Sequence, residues 1–455
     1  MSPPITPFDK WCSDVGIVTP FIRLVGRACR SAREADAAAV AAASAAAAGT
    51  SPSTSGRTAV ASVSLRRGDL IAAIPDAAVL TVDASRAGPA LKAAGLGSKV
   101  GNAWREGVGL ALALVSESGA GPASPWAPYV AWLVEAVPGL RATHPALWPA
   151  GERAALLAGT AAGARLGKWG ERTTRHAPAG VGAASALARA FVRRHPALFE
   201  APAVAFLEAY ALVGAYSFTL GSDPPIAALV PVWDALDHDP RVWDGGAGVA
   251  LAHDAAAGEL RMTATRPVPP GGVVFNCYGD ELGPGECVRR YGWAPAPAAA
   301  PGERLDFGPG ELGLAALAAA AAAAASAPPR RRVGLFKLAT LAAAGAGGGR
   351  PLCVEGESGA PSEGLMDAAA AAAGAVGRKT DIRGTGHQAA AVRVVAALAA
   401  TRATALKRGG ARARACSPAS SGRVALAAAV REAEGRAVKM MQGWCLRELR
   451  ALCTK

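Results

Sequence analysis

Aromatic residues are scarce in this chain, 5% of 455 residues, and its eight cysteines include no CxxC pair. The missing CxxC spacing removes both a zinc cage and a dithiol redox motif and points to a reduced compartment. No apolar stretch matches a bilayer: the longest, residues 312–327, has 16 residues, is mostly alanine and stops at Pro328. A membrane span wants roughly 18. The opening MSPPITPFDKWC holds no apolar core behind a basic start, and Asp9 speaks against a transit peptide. These absences predict an intracellular protein that does not enter membranes.

Negative charge is also short, 35 Asp+Glu against 48 Lys+Arg, for a net +13. Where the charge lies matters more than its sum. Residues 301–455 carry 22 basic and 11 acidic side chains, which leaves the first 300 residues nearly neutral at +2. Arg outnumbers Lys 39 to 9 amid alanine runs, the mark of a biased base composition more than of a phosphate-binding surface. A nucleic-acid partner is not expected. The basic C-terminal stretch is expected to prefer acidic surfaces on a protein.

What remains is a globular composition, 51% hydrophobic, long enough for two or three domains with cores of their own. Two stretches are low in complexity, residues 37–56 and the alternating Ala and Gly patches between 308 and 422. Residues 58–81 alternate β-branched and small polar residues and turn at Arg67-Gly68, which predicts a hairpin. From 101 to 218 apolar residues recur at i, i+3, i+4, predicting about five helices. Strands return after Ile226, with Pro270-Gly271-Gly272 as a turn between two of them. Helices dominate from Leu312 onward. Strands are not separated one by one by helices, so a parallel sheet is not expected and the class is α+β.

The segment IAALVPVWDALDHD, then LRMTATRPVPPGGVVFNCYG, then RRYGW resembles the second half of a SET domain. The pattern LVPxxDxxNH followed by two YG pairs is that of the Rubisco-methyltransferase-like branch of protein lysine methyltransferases. FDKWCSDVGI, SPWAPYVAWL, HPALWP, HPALF and ALVGAYSF fall in the same order as in that branch, nearest to its nuclear member and to the yeast ribosomal lysine methyltransferases. The resemblance covers most of residues 7 to 300. It implies a β-rich SET domain in two parts, 1–100 with a low-complexity insertion at 30–56, and 226–300. These parts are split by a helical insertion, 101–225, and followed by a helical substrate-binding domain, 301–455.

That resemblance implies S-adenosyl-L-methionine as cofactor and a protein lysine as acceptor, with no metal. A lysine near pKa 10.4 must lose its proton to act as a nucleophile, and a desolvating channel beside a positive sulfonium favours the neutral form. Tyr278 is then the hydroxyl that orients the amine. Tyr291 takes the second aromatic position, beside the cofactor. Asp237-His238 stands where the family has Asn-His, and aspartate keeps the oxygen that accepts from the methionine amine; His238 is expected to act through its main chain. Gly56-Arg57-Thr58 aligns with a GxG loop, Thr58 in place of the second glycine. Tyr216 lies where other branches hold the cofactor carboxylate with Arg. Ser217, Thr219 and Trp126 are substrate-side candidates, and Trp148 is read as structural. The expected protein is a monomer of the nucleus or cytoplasm. The competing reading is a SET-fold binding module impaired in catalysis, motivated by Thr58 and Asp237.

Overall fold

Thr6 and Asp9 close a capping box around the first helix, Pro7–Asp14, with Pro7 supplying a preset φ at its start. The computed structural model describes residues 6–26, 57–98, 103–167, 181–221, 225–239, 248–278, 282–295, 303–307, 309–323, 340, 343, 352–354, 358–376, 385–415 and 421–453. The low-complexity insertion 30–56, Gly56 included, lies outside them. The chain divides into two compact units. The first comprises Met1–Pro149, Arg165–Asp280 and Glu286–Ala300; the second comprises Ala150–Ala164, Glu281–Gly285 and Pro301–Lys455. The second thus takes Ala150–Ala164 from within the helical stretch.

The first unit is built mostly of short antiparallel pairs; against the expectation of no parallel strands, one two-residue pair, Asp237–His238 beside Phe275–Asn276, is parallel. β1 (Ile22–Gly26) pairs with β2 (Arg57–Ala61). β3 (Leu70–Pro75) lies beside β9 (Glu259–Ala264), which also pairs with β8 (Val249–Asp254). β4 (Leu80–Thr81), β6 (Ile226–Leu229) and β5 (Ser217–Leu220) form a third sheet. The expected hairpin across Arg67-Gly68 does not form, because β2 and β3 each find another partner. The turn itself is there: Gly68 has φ +89° and the Asp69 carboxylate accepts from Arg66 N at 2.6 Å. It delivers the chain to β9 rather than back onto β2, since Gly68 N donates to Ala264 O at 2.8 Å. Alternation encodes which residues face the core and says nothing about the neighbouring strand.

The Pro270-Gly271-Gly272 turn is likewise present, with φ +76° at Gly271, but its flanks bridge Val60 to Val273 and Leu65 to Val268. Seven helices, not five, occupy the described part of 101–225, because Pro128 and Pro138 open separate short helices where the periodicity runs on. The first of them, Ala103–Ala120, is apolar on every side over Val108–Val115 and is buried throughout that run, with Gly109 at a close approach. A Cβ at Gly109 would stand 1.9 Å from Leu96 O.

The second unit packs the helices Pro309–Ala323, Glu363–Val376 and Ser421–Cys453 against Thr385–Ala415. Gln388–Ala415 is long and apolar enough to cross a membrane, yet Val392, Val395, Leu398 and Ala399 are core residues of this bundle.

Candidate active site

β6 ends in a strained corner. Val232 has φ +69° and ψ −45°, and Trp233 N donates to Pro231 O at 2.8 Å, the geometry of a γ-turn of the rare hand. For a β-branched residue this costs on the order of 1–3 kcal/mol, and such strain persists only where packing imposes it. Val232 is fully packed in the core. The corner leads through a 3-10 turn, Trp233–Ala235, into β7 (Asp237–His238), which lies parallel to β10 (Phe275–Asn276). Asp239 N extends this ladder to Asn276 O at 3.0 Å.

Two residues beyond β10, Tyr278 N donates to His238 Nδ1 at 3.0 Å, and the two rings stack with centroids 5.1 Å apart. The other side of Tyr278 meets Tyr291 at 4.9 Å. Trp293 completes the group, 6.4 Å from Tyr291 and 5.8 Å from His238. The Tyr278 hydroxyl donates to Leu236 O at 2.5 Å. Burial holds its pKa well above the ordinary value near 10, and Asp237, Tyr291, Tyr216 and Asp234 push it the same way. The phenol therefore keeps its proton. Burial also lowers His238 to about 4, against the opposing pulls of Asp239 and of a bond to the Asn276 backbone. Because Nδ1 accepts from a backbone amide, the neutral ring carries its proton on Nε2.

Tyr216, Asp237, His238, Tyr278 and Tyr291 are thus brought together. Ser217 and Thr219 sit on β5 opposite Leu229 and Ala227. Phe218, between them, meets the Trp233 ring edge-on at 5.6 Å. Trp126 is buried, and its indole donates to Ala78 O at 3.1 Å; the rings around Tyr278 do not include it. Arg57 pairs through its backbone with Gly26, and Thr58 with Val25. Trp148 is buried in the core. Sequence reasoning passed over Asp234 and Trp293. Asp234 is the Asp of the quoted LVPxxD pattern, buried and bonded to the Tyr129 hydroxyl at 2.7 Å, and Trp293 directly follows the second YG.

No protein-family profile matches the chain. Two solved structures share its architecture, the SET domain of LSMT bound to lysine and AdoHcy and Rubisco LSMT bound to AdoMet. Each aligns with TM-score 0.59 over 99% of this chain and 93% of its own, at 15% and 14% identity. The chain has a SET-domain fold. In sequence it is similar to the N-lysine methyltransferase SETD6 of Homo sapiens, 31% identical over 308 residues, covering 64% of this chain and 59% of the human protein. SETD6 of Bos taurus is 30% identical over 310 residues, covering 64% and 57%. The chain therefore spans less than two thirds of the length of these relatives.

Among the described residues, the buried polar atoms without a hydrogen-bond partner include Thr58 Oγ1 and Trp233 Nε1. β2, which carries Thr58, packs against the turn that carries Trp233. An unsatisfied buried group costs about 1–3 kcal/mol, and a ligand with polar groups of its own would satisfy these two. Together with the aromatic faces and the acidic Asp234 and Asp237 near Tyr278, these groups fit a cationic molecule that also offers hydrogen-bonding groups. Among the described residues no cluster of His, Cys, Asp and Glu could hold a metal ion.

Acid should unfold this site early. His238 and the buried His144 both have folded pKa values lowered to about 4 by burial, below the unfolded value of 6.5. Below pH 6.5 the unfolded chain takes up protons that the folded chain refuses, so their contribution is complete above 6.5 and is lost as pH falls toward 4. The expected loss is of the order of 3 kcal/mol for each. Denaturant unfolding at pH 7.5, 5.5 and 4.5 measures it, and a flat profile contradicts the neutral assignment of both rings.

Proposed function

We propose that the protein is an S-adenosyl-L-methionine-dependent protein-lysine N-methyltransferase. The observation that carries the proposal is the cluster of Tyr278, Tyr291, His238 and Trp293, placed at the family's NH and YG motifs in a SET fold. Similarity to an N-lysine methyltransferase and to a SET domain bound to lysine and AdoHcy supports it.

Tyr278, as the catalytic residue, spends its hydroxyl hydrogen on Leu236 O, so its free lone pairs accept an N–H from the substrate amine. That bond turns the amine lone pair toward the methyl group, a gain of positioning and not of basicity. A raised pKa fits this role, because a phenol that holds its proton cannot act as the general base. Desolvation beside a second positive charge disfavours the lysine ammonium, so the amine enters after losing its proton to water. Asp237 would hold the methionine ammonium, Tyr216 and Thr58 the polar end of the same molecule, and Tyr291 and the His238 backbone its remaining surface. Ser217, Thr219 and Trp126 remain substrate-side assignments, of which Trp126 has the least support because its indole is engaged by Ala78 O. S-adenosyl-L-methionine supplies the electrophilic methyl on its sulfonium.

We also carry forward a nuclear or cytoplasmic setting and action as a monomer, which rest on the resemblance alone. Two measurements test the function. Calorimetric titration with S-adenosyl-L-methionine is expected to show one site per chain, and labelled cofactor with a cell extract is expected to mark a protein band. No binding at millimolar cofactor sinks the enzyme reading, and binding without any transfer leaves the impaired binding module.

A further inference from the structure

The HPALWP motif takes no part in the mechanism above, yet its histidine is one of the most constrained side chains in the first unit. His144 is buried. Its Nδ1 accepts from Ala146 N at 3.2 Å, and its Nε2 lies 3.0 Å from Arg290 O. A backbone amide can only donate and a carbonyl can only accept, so one state serves both contacts: the neutral ring with its proton on Nε2. Burial keeps the ring in that state.

The carbonyl it grips is next to Tyr291. On the other side of Tyr291 the chain turns at Gly292, φ +74°, where a Cβ would stand 2.9 Å from Thr143 Oγ1 and 3.0 Å from His144 N. Both flanks of Tyr291 are therefore seated on residues 143 and 144. The helix Phe206–Tyr216 passes the same point: a Cβ on Gly214 would lie 3.4 Å from Arg290 O and 3.7 Å from His144 Nε2. Tyr216 follows two residues later. The contact between His144 and Arg290 O is thus where the two backbones that carry Tyr216 and Tyr291 meet. Both of these tyrosines act on Tyr278.

We propose that His144 is a positioning residue for methyl transfer, a latch outside the aromatic cluster that sets Tyr291, and through Gly214 Tyr216, against Tyr278. The Ala146 contact alone would suffice to hold the turn Pro145–Leu147. The Arg290 contact is what reaches the site. This inference rests on the reading of the cluster as the methyl-transfer site.

Two amide side chains separate the two contacts. In His144→Asn the amide oxygen takes the place of Nδ1 and keeps the Ala146 bond, but the side chain is too short for Arg290. His144→Gln reaches Arg290 with its amide nitrogen and gives up the Ala146 bond. The latch predicts that Asn, which strands Arg290 O, and Gln, which strands Ala146 N, lower the unfolding midpoint comparably, while only in Asn do kcat/KM for methyl transfer and affinity for S-adenosylhomocysteine each fall roughly tenfold or more, as expected for a misplacement near 1 Å. Gln should restore both despite its lowered midpoint. Activity and affinity that follow stability across Asn, Gln and Ala variants would overturn the latch, as would unchanged values in His144→Ala. A wild-type protein that binds no S-adenosylhomocysteine refutes the site reading itself, an outcome visible before any variant is made.

Discussion

Tyr278→Phe is expected to lower the rate of methyl transfer roughly 10²-fold or more while leaving S-adenosyl-L-methionine affinity within about threefold. The substitution removes one oxygen and leaves the ring, so its contacts with His238 and Tyr291, 5.1 and 4.9 Å between centroids, remain available. What disappears is the acceptor for the substrate amine and the donor to Leu236 O. The second loss is not neutral: Leu236 O then stands in the site as a free carbonyl and can take the amine N–H itself, which gives the variant a residual rate. Single-turnover measurement separates the chemical step from binding. Turnover unchanged in the variant would show that the hydroxyl does not orient the amine.

Tyrosine is so rare in this chain, five in 455 residues, that three of them meeting in one site is the clearest link between composition and chemistry. The motifs around Tyr216, Tyr278 and Tyr291 were legible because each is a contiguous run whose residues point to one place. Asp237 and His238 were legible for the same reason. Pairings between distant segments were not. The alternation in 58–81 reports a buried face, but β2 finds β1 and β3 finds β9 across more than 180 residues. His144 was quoted within a motif, but its partner is a backbone carbonyl 146 residues away, and no side-chain type announces a carbonyl. Trp233 was equally silent, because an indole without a partner is recognised only when its surroundings are seen. The strain at Val232 belongs with it, since no glycine marks that corner. Ala150–Ala164 looks like any other part of the helical stretch, and only its contacts assign it to the second unit.

Those contacts carry the second large expected effect, a loss of about 3–5 kcal/mol of stability for Glu434→Ala. Glu434 is fully buried in the helix Ser421–Cys453. Its carboxylate accepts from Ala161 N at 2.7 and 2.8 Å and from Ala162 N at 3.3 Å, at the start of the helix Ala161–Gly167. Negative charge at a helix N-terminus satisfies donors that the helix leaves open. Three residues earlier, Arg431 donates to Ala158 O at 2.8 Å and to Leu156 O, at the other end of the same connection. One helix thus meets a chain reversal with a cation on its carbonyls and an anion on its amides. Burial lowers the Arg431 pKa and Glu434 opposes that shift, so truncating Glu434 strands two amides and removes the counter-charge of the arginine. The approach is also sterically close, since a Cβ on Gly409 would stand 1.7 Å from Ala158 O and one on Gly159 2.1 Å from Ala405 O; little space is left for water to replace the lost carboxylate. Glu434→Gln keeps one acceptor oxygen and should lose less than half as much. Denaturant unfolding of the three proteins orders them wild type, Gln, Ala, and an Ala variant within 1 kcal/mol of wild type, well inside the cost expected of an uncompensated buried charge, would show that the carboxylate does not hold this connection.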